Sequence, residues 1–312
     1  MLGVLGISGW KIGIVVMSKK DRIKKHGNLY ERRDVAGDLK SSAKVLAKLA
    51  RDKDWRVRRD VAENPKSSAK VLAKLATDEY WRIREAVAEI QYAPAEVLNK
   101  LASDETVSVR CTVAKNPNAP AAGALAKLAT DENSGVREDV ARNPNTTAEV
   151  LNSLATDEDW RVRRSVTENP NPPAGVLNSL ATDEDWHVRC GAAGNANIPC
   201  EVLAELAMDE NPYVRWEVAR NPSITVELLT RLAVDENSKV RCAVAGNPNA
   251  TETILLRASR DHDTNVRWAV AGNPKIPLEA AIRLSFSWVS RIRQALSENP
   301  AVPEHIRAKP KP

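Results

Sequence analysis

The most constraining feature of this chain is that it repeats itself. Leu154 to Ser179 spell one 26-residue unit, and Leu180-Ala181-Thr182-Asp183-Glu184-Asp185-Trp186 begins it again. With Leu154 as position 1, position 10 is Arg in every repeat: Arg32, Arg58, Arg84, Arg110, Arg137, Arg163, Arg189, Arg215, Arg241, Arg267 and Arg293. The spacing is 26 residues throughout, except for 27 between Arg110 and Arg137. The extra residue falls in Ala121-Ala122-Gly123, where glycine is expected to absorb it. A period of this length predicts a stacked array in which each repeat is buried only against its neighbours. That resolves an awkward length, because a single core rarely serves more than about 250–300 residues and this chain has 312. One Phe and four Tyr are a poor supply for one large core, whereas thin local cores of Leu, Val and Ala suit an array.

Each repeat reads as two short helices. Positions 5–15 put apolar residues at 9, 13 and often 14, as in Val162 with Val166 or Val240 with Val244 and Ala245, the spacing of one helical face. Asn-Pro at positions 16 and 17 stops that helix, since the residue before proline is driven out of the α region. Ile90-Gln91 and Asn195-Ala196 depart from the pair. Position 20 is always Ser, Thr or Pro (Ser42, Ser68, Pro94, Thr147 and so on), which suits an N-cap or a first turn. Val at 23, Leu at 24, Leu at 1 and Ala at 2 supply the buried side of the second helix. No segment alternates as a strand would. The expected fold is all-α, an α-solenoid of about eleven two-helix repeats spanning residues 28–307, after a leader over 1–27 and before a tail over 308–312.

The pattern Leu-Ala-x-Asp-Glu-x-x-x-Val-Arg-x-x-Val-Ala-x-Asn-Pro-x-x-Pro-x-Glu-Val-Leu resembles the leucine-rich repeat variant family across about residues 28–307. The resemblance implies a right-handed superhelix of alternating α- and 3₁₀-helices without β-strands. It also implies an N-terminal cysteine-rich module holding an iron–sulfur cluster, and there the chain departs: residues 1–110 contain no cysteine. Cys111, Cys190 and Cys242 share position 11, three and two repeats apart. With helices packed about 8–10 Å from one another they do not reach one cluster, and Cys190 with Cys200 supplies only two ligands. No cofactor and no metal are expected. The Asp-x-x-x-x-Val-Arg core also resembles HEAT repeats, an architectural cousin in which a small residue and glycine take the place of Asn-Pro.

The net charge of +5 is unevenly placed. Residues 1–40 hold nine basic and four acidic side chains; the rest hold 37 of each. The solenoid body is therefore neutral, which disfavours a phosphate-tracking groove. The basic block Lys19-Lys20-Asp21-Arg22-Ile23-Lys24-Lys25-His26 is the one candidate for attachment to nucleic acid or an anionic surface. Leu2 to Val16 is apolar but shorter than the ~20 residues of a spanning helix. It has neither a basic region before it nor a cleavage site after it. It reads as an extension upstream of a start at Met17, or as a weak interfacial anchor. No transmembrane segment is expected, and four cysteines in a chain this long point to a reducing, cytoplasmic setting; a monomer is expected.

The recurring arginine invites a phosphate-binding reading, but position 4 is acidic in nine repeats: Asp52, Asp78, Asp104, Asp131, Asp157, Asp183, Asp209, Asp235 and Asp261. Stacking is expected to join these carboxylates to the guanidinium forks in a structural ladder. The Asp-Glu pairs read as first-turn acids that favour a helix N-terminus. Candidate partner-binding residues are the tryptophans of position 7, Trp55, Trp81, Trp160 and Trp186, with the arginines of positions 8 and 11: Arg56, Arg59, Arg82, Arg161 and Arg164. Aromatic and arginine side chains together make protein hot spots and nucleic-acid stacking surfaces. His26, His187, His262 and His305 have no metal-ligand spacing, and no phosphate loop or nucleophile motif occurs. A glycosylase-like enzyme would need a carboxylate outside the ladder, and none stands out. The expected function is a non-enzymatic scaffold that binds a protein; the alternative is nucleic-acid binding through the Trp/Arg patches and the basic leader.

Overall fold

A computed structural model of the chain describes residues 27–307. The leader and the tail, with the expectations placed on them, lie outside the described residues. The chain divides into two compact units, one ending at Pro120 and the other beginning at Ala121. Among the described residues there are helices and no strands, and no helix is long and apolar enough to cross a membrane.

Within each unit the fold is an α-solenoid. First helices such as Trp55–Glu63 and Trp81–Glu89 in the first unit, or Trp160–Thr167, Trp186–Gly194 and Pro212–Arg220 in the second, pack directly on one another. Second helices such as Ala69–Leu75 and Cys200–Leu206 pack mainly on the first helices beside them. The core is local and apolar. Val57, Val61, Val162 and Val166 are fully excluded from solvent, as are Leu46, Leu98 and Leu177 of the second helices. Burial of each such side chain contributes about 1.5–3 kcal/mol.

The helices begin later than their sequence pattern suggests. They start at position 7, and position 6 is the N-cap: the carboxylates of Asp54, Asp159 and Asp185 accept the N–H two residues on. The position-4 acids thus precede the helix instead of lying in its first turn. Each accepts a backbone N–H in the loop, as Asp52 does from Asp54 at 2.9 Å. The Asn-Pro stop holds, with Asn64 extended at φ −74°, ψ 120°. Position 20 is the N-cap of the second helix; Thr147, Thr225 and Thr251 bond the third N–H of their helices, while Ser42 and Ser68 make no such bond.

Two expectations are made more definite. Of the short α and 3₁₀ forms expected for the second helices, the α form is taken, with bonds such as Leu46 N–H to Ser42 C=O at 3.0 Å. Tighter i to i+3 bonds occur only at their ends, as from Asp52 to Leu49. The inserted residue before Arg137 is absorbed by winding, since Ala121–Leu125 is a π-helical turn running into Ala126–Leu128. A π-turn takes one more residue than an α-turn, so the downstream register is kept. Gly123 needs no special backbone conformation for this, because no described residue has positive φ.

The same fact yields a stability prediction. Gly246 and Gly272 end first helices with open space where a Cβ would stand. Gly246→Ala and Gly272→Ala should each stabilise the protein by about 0.4–1 kcal/mol, through lost freedom of the unfolded chain. Thermal melts of the full chain would show the rise.

Candidate functional site

Two side-chain ladders hold the repeats in register and set what lies between them. At the N-terminal end of the first helices, ladder arginines within each unit reach forward to the aspartate of the next repeat. Arg58 Nε donates to Asp78 Oδ2 at 2.6 Å and Nη2 to Oδ1 at 2.8 Å, while Nη1 donates to the carbonyl of Asp52 in its own loop at 2.7 Å. Arg84 with Asp104 repeats this in the first unit, and Arg137, Arg163, Arg189, Arg215 and Arg241 with Asp157, Asp183, Asp209, Asp235 and Asp261 repeat it in the second. The bonds to aspartate raise the arginine pKa values further, against the opposing effect of burial. Burial pushes Asp104 and Asp261 upward, but the bonds from Arg84 and Arg241 and from loop N–H groups outweigh it and hold both carboxyls below their ordinary range. The next repeat has Ser287 where earlier ones carry the acid, and Arg267 bonds the Asp261 carbonyl and Thr264. These guanidinium groups are committed to structure.

At the other end of the first helices runs a ladder of asparagines. Asn169 Nδ2 donates to the carbonyls of Ala141 at 2.7 Å and Asn143 at 2.9 Å, and its Oδ1 accepts the N–H of Asn171. Asn116, Asn221 and Asn273 do the same in their repeats. The carbonyls that a helix C-terminus leaves unpaired are therefore capped by the next repeat.

Between the ladders, the position-7 tryptophans are half-buried and join aromatic rows. In the first unit Trp55 lies 5.1 Å from Tyr80, which lies 6.5 Å from Trp81; Arg56 sits over Trp55 and Arg82 over Trp81. In the second unit His187 stacks on Trp160 at 4.4 Å and on Trp186 at 3.7 Å, and Trp186 stacks on Tyr213 at 5.4 Å. Arg161 lies over Trp160 and Lys239 over Tyr213, so a cation closes each end of this row. Asp185 Oδ1 holds His187 Nδ1 at 2.9 Å. Tyr80, His187, Tyr213 and Lys239 were not among the candidates read from the sequence. The signal for three of them was position 8, which reads Arg161, His187, Tyr213 and Lys239 in successive repeats. Arg59 and Arg164 leave the patch: Arg59 bonds Glu63 at 2.6 Å and Arg164 pairs with Glu168 at 3.3 Å, each one turn along its own helix.

All four cysteines are free thiols, and among the described residues no three His, Cys, Asp or Glu side chains converge as metal ligands. Burial first, then Glu217 and Asp209, push the Cys190 thiol up to about 12. At pH 8 that leaves a thiolate fraction on the order of one in ten thousand. Iodoacetamide should therefore modify the exposed Cys200 well before Cys190, a difference that peptide mass spectrometry would read.

No family profile matches the chain, and a search of curated proteins found no match. Among solved structures it aligns with one described as a leucine-rich repeat variant with a novel repetitive protein structural motif. The two are 27% identical over 76% of this chain and 89% of that one, with a TM-score of 0.51. A second, described as an engineered protein, aligns over 95% of this chain and 97% of its own at 18% identity, but with a TM-score of 0.33 the likeness is too loose to add to the assignment. The chain has the repeat fold of a leucine-rich repeat variant.

Proposed function

We propose that the chain is a non-enzymatic scaffold that binds a protein partner along the aromatic edge of its first helices. The observation that carries this reading is the row Trp160–His187–Trp186–Tyr213, whose tryptophans stand where other repeats carry Ser134, Ser238 or Thr264, so the fold itself does not require them. Half-buried aromatic rings flanked by arginine are the composition of interface hot spots. Beside the row, Glu158, Glu184, Glu210 and Glu236 are about nine-tenths exposed, an acidic rim that repels a phosphate backbone. This favours a protein over a nucleic acid.

Affinity capture of the tagged protein from its native lysate, with and without nuclease, tests the reading. A protein partner should survive nuclease, and Trp160→Ala combined with Tyr213→Ala should weaken its capture by about tenfold or more, the scale of a hot spot. Recovery that disappears with nuclease and falls steeply with salt would replace this reading by nucleic-acid binding.

A further inference from the structure

Several departures from the repeat meet at one place in the second unit. Position 14 is Ala in most repeats but Thr167 here; position 12 is Gly191 in one helix and Glu217 in the next; position 17, usually Pro, is Ala196. The Trp186–Gly194 helix presents Cys190, Gly191 and Gly194 to solvent, while its neighbours present Arg164 and Glu168 on one side and Glu217 on the other. The result is a trough of about 480 Å³ with a low floor and charged walls. Gly191 and Thr167 are a matched pair, because a Cβ on Gly191 would collide with the Thr167 hydroxyl.

The polar groups facing this trough are incompletely used. Glu217 is 29% exposed and makes no hydrogen bond among the described residues; its nearest ion pair, with Arg220, is a loose 3.9 Å. Burial raises its pKa, against the weaker pull of Arg220 and Arg164. The Nε of Arg164 is buried without a hydrogen-bond partner. Glu168 is held by both Arg142, at 2.8 Å, and Arg164, whereas among the described residues the Glu217 carboxylate accepts no hydrogen bond and has only the loose pair with Arg220. His187, on the same helix as Cys190 and Gly191 at i, i+3 and i+4, brings the aromatic row to one end of the trough.

We propose that this trough receives a single basic side chain, arginine or lysine, presented by an extended segment of the protein partner, with its charged head on the Glu217 carboxylate. The inference deepens the scaffold reading, on which the ligand's being part of a protein rests. A half-buried carboxylate lacking donors gains most from a cation, since charge-assisted hydrogen bonds are the strong ones. The glycine floor leaves room before Glu217 that a long side chain at Gly194 would fill.

The test uses the full chain labelled with ¹⁵N and three blocked tripeptides, acetyl-Gly-X-Gly-amide with X as arginine, lysine or glutamate. The arginine or lysine peptide should shift the amide resonances of Gly191 and Gly194 saturably. Glu217→Gln should weaken that binding by about tenfold or more. Gly194→Leu should abolish it by filling the space before Glu217, where a Cβ would stand 3.7 Å from Oε2. Gly194 is exposed and Glu217 half-buried, both away from the ladders, and unchanged melting curves would confirm intact folds. No saturable shift with either basic peptide, equal binding by Glu217→Gln, or a response confined to the glutamate peptide overturns the proposal. The peptide assay needs no partner, so it stands or falls separately from the lysate capture. Capture that persists in Glu217→Gln, with the basic peptides silent, would sink the trough and leave the scaffold.

Discussion

Arg163→Ala should destabilise the protein by about 3–5 kcal/mol, read as a large fall in melting temperature or denaturation midpoint. The arginine side chain is 11% exposed and Asp183 only 9%, so the substitution strands a buried carboxylate. It also removes the bond from Nη1 to the Asp157 carbonyl at 2.8 Å. Most of the cost is the unmatched charge, not the attraction between the pair, because burying both ions already offset much of that attraction. The double variant Arg163→Met with Asp183→Asn should therefore cost less than Arg163→Ala alone; Asn keeps an oxygen for the Asp185 N–H that Asp183 bonds at 2.9 Å. A single variant that melts like wild type would contradict the ladder as a source of stability. Acid should act on the ladder at Asp104 and Asp261. Asp104 and Asp261 have carboxyls depressed in the folded protein, so their contribution is complete above the unfolded carboxylate value near ~3.9 and is lost as pH falls through the lower folded values.

Asn169→Ala should cost about 2–3 kcal/mol. Asn169 is 1% exposed, and its loss leaves the Ala141 carbonyl buried without its donor. The Asn143 carbonyl keeps a bond from the Thr146 N–H, so the effect stays below that of two orphaned groups. Asn169→Asp should be worse at neutral pH, because it sets a carboxylate against two carbonyl oxygens. That pushes the new carboxyl's folded pKa upward, so its penalty should shrink as pH falls toward 4 and grow as pH rises. Melting temperatures of the two variants across pH 4 to 8 would check this; an Asp variant that tracks wild type at every pH would rule out the asparagine as a donor to those carbonyls.

The candidate site was only partly legible. Trp160 and Trp186 stand out because tryptophan is rare at a position that tolerates serine. Their partners His187 and Tyr213 do not, since a histidine or tyrosine one residue from the expected position carries no label of its own. Arg164 looked like a neighbour of Trp160 by spacing, but a glutamate one turn along the same helix takes it instead. Glu217 did not stand out at all: nothing near it in the chain shows that Gly194, one repeat back, leaves open the space before its carboxylate.

The sequence by itself determined the period, the two helices of each repeat, their stops at Asn-Pro and their apolar faces. These follow from rules that act within a few residues: helical spacing, capping and the restriction that proline places on its predecessor. Tertiary structure decided which aspartate each arginine reaches, that the asparagine of one repeat caps the carbonyls of the one before, and that the inserted residue is taken up in a π-turn. It also decided where Arg164, Gly191 and Glu217 meet. The physical reason is that a buried polar group takes its partner from the adjacent repeat, and that partner is fixed only when the apolar faces stack and set the register.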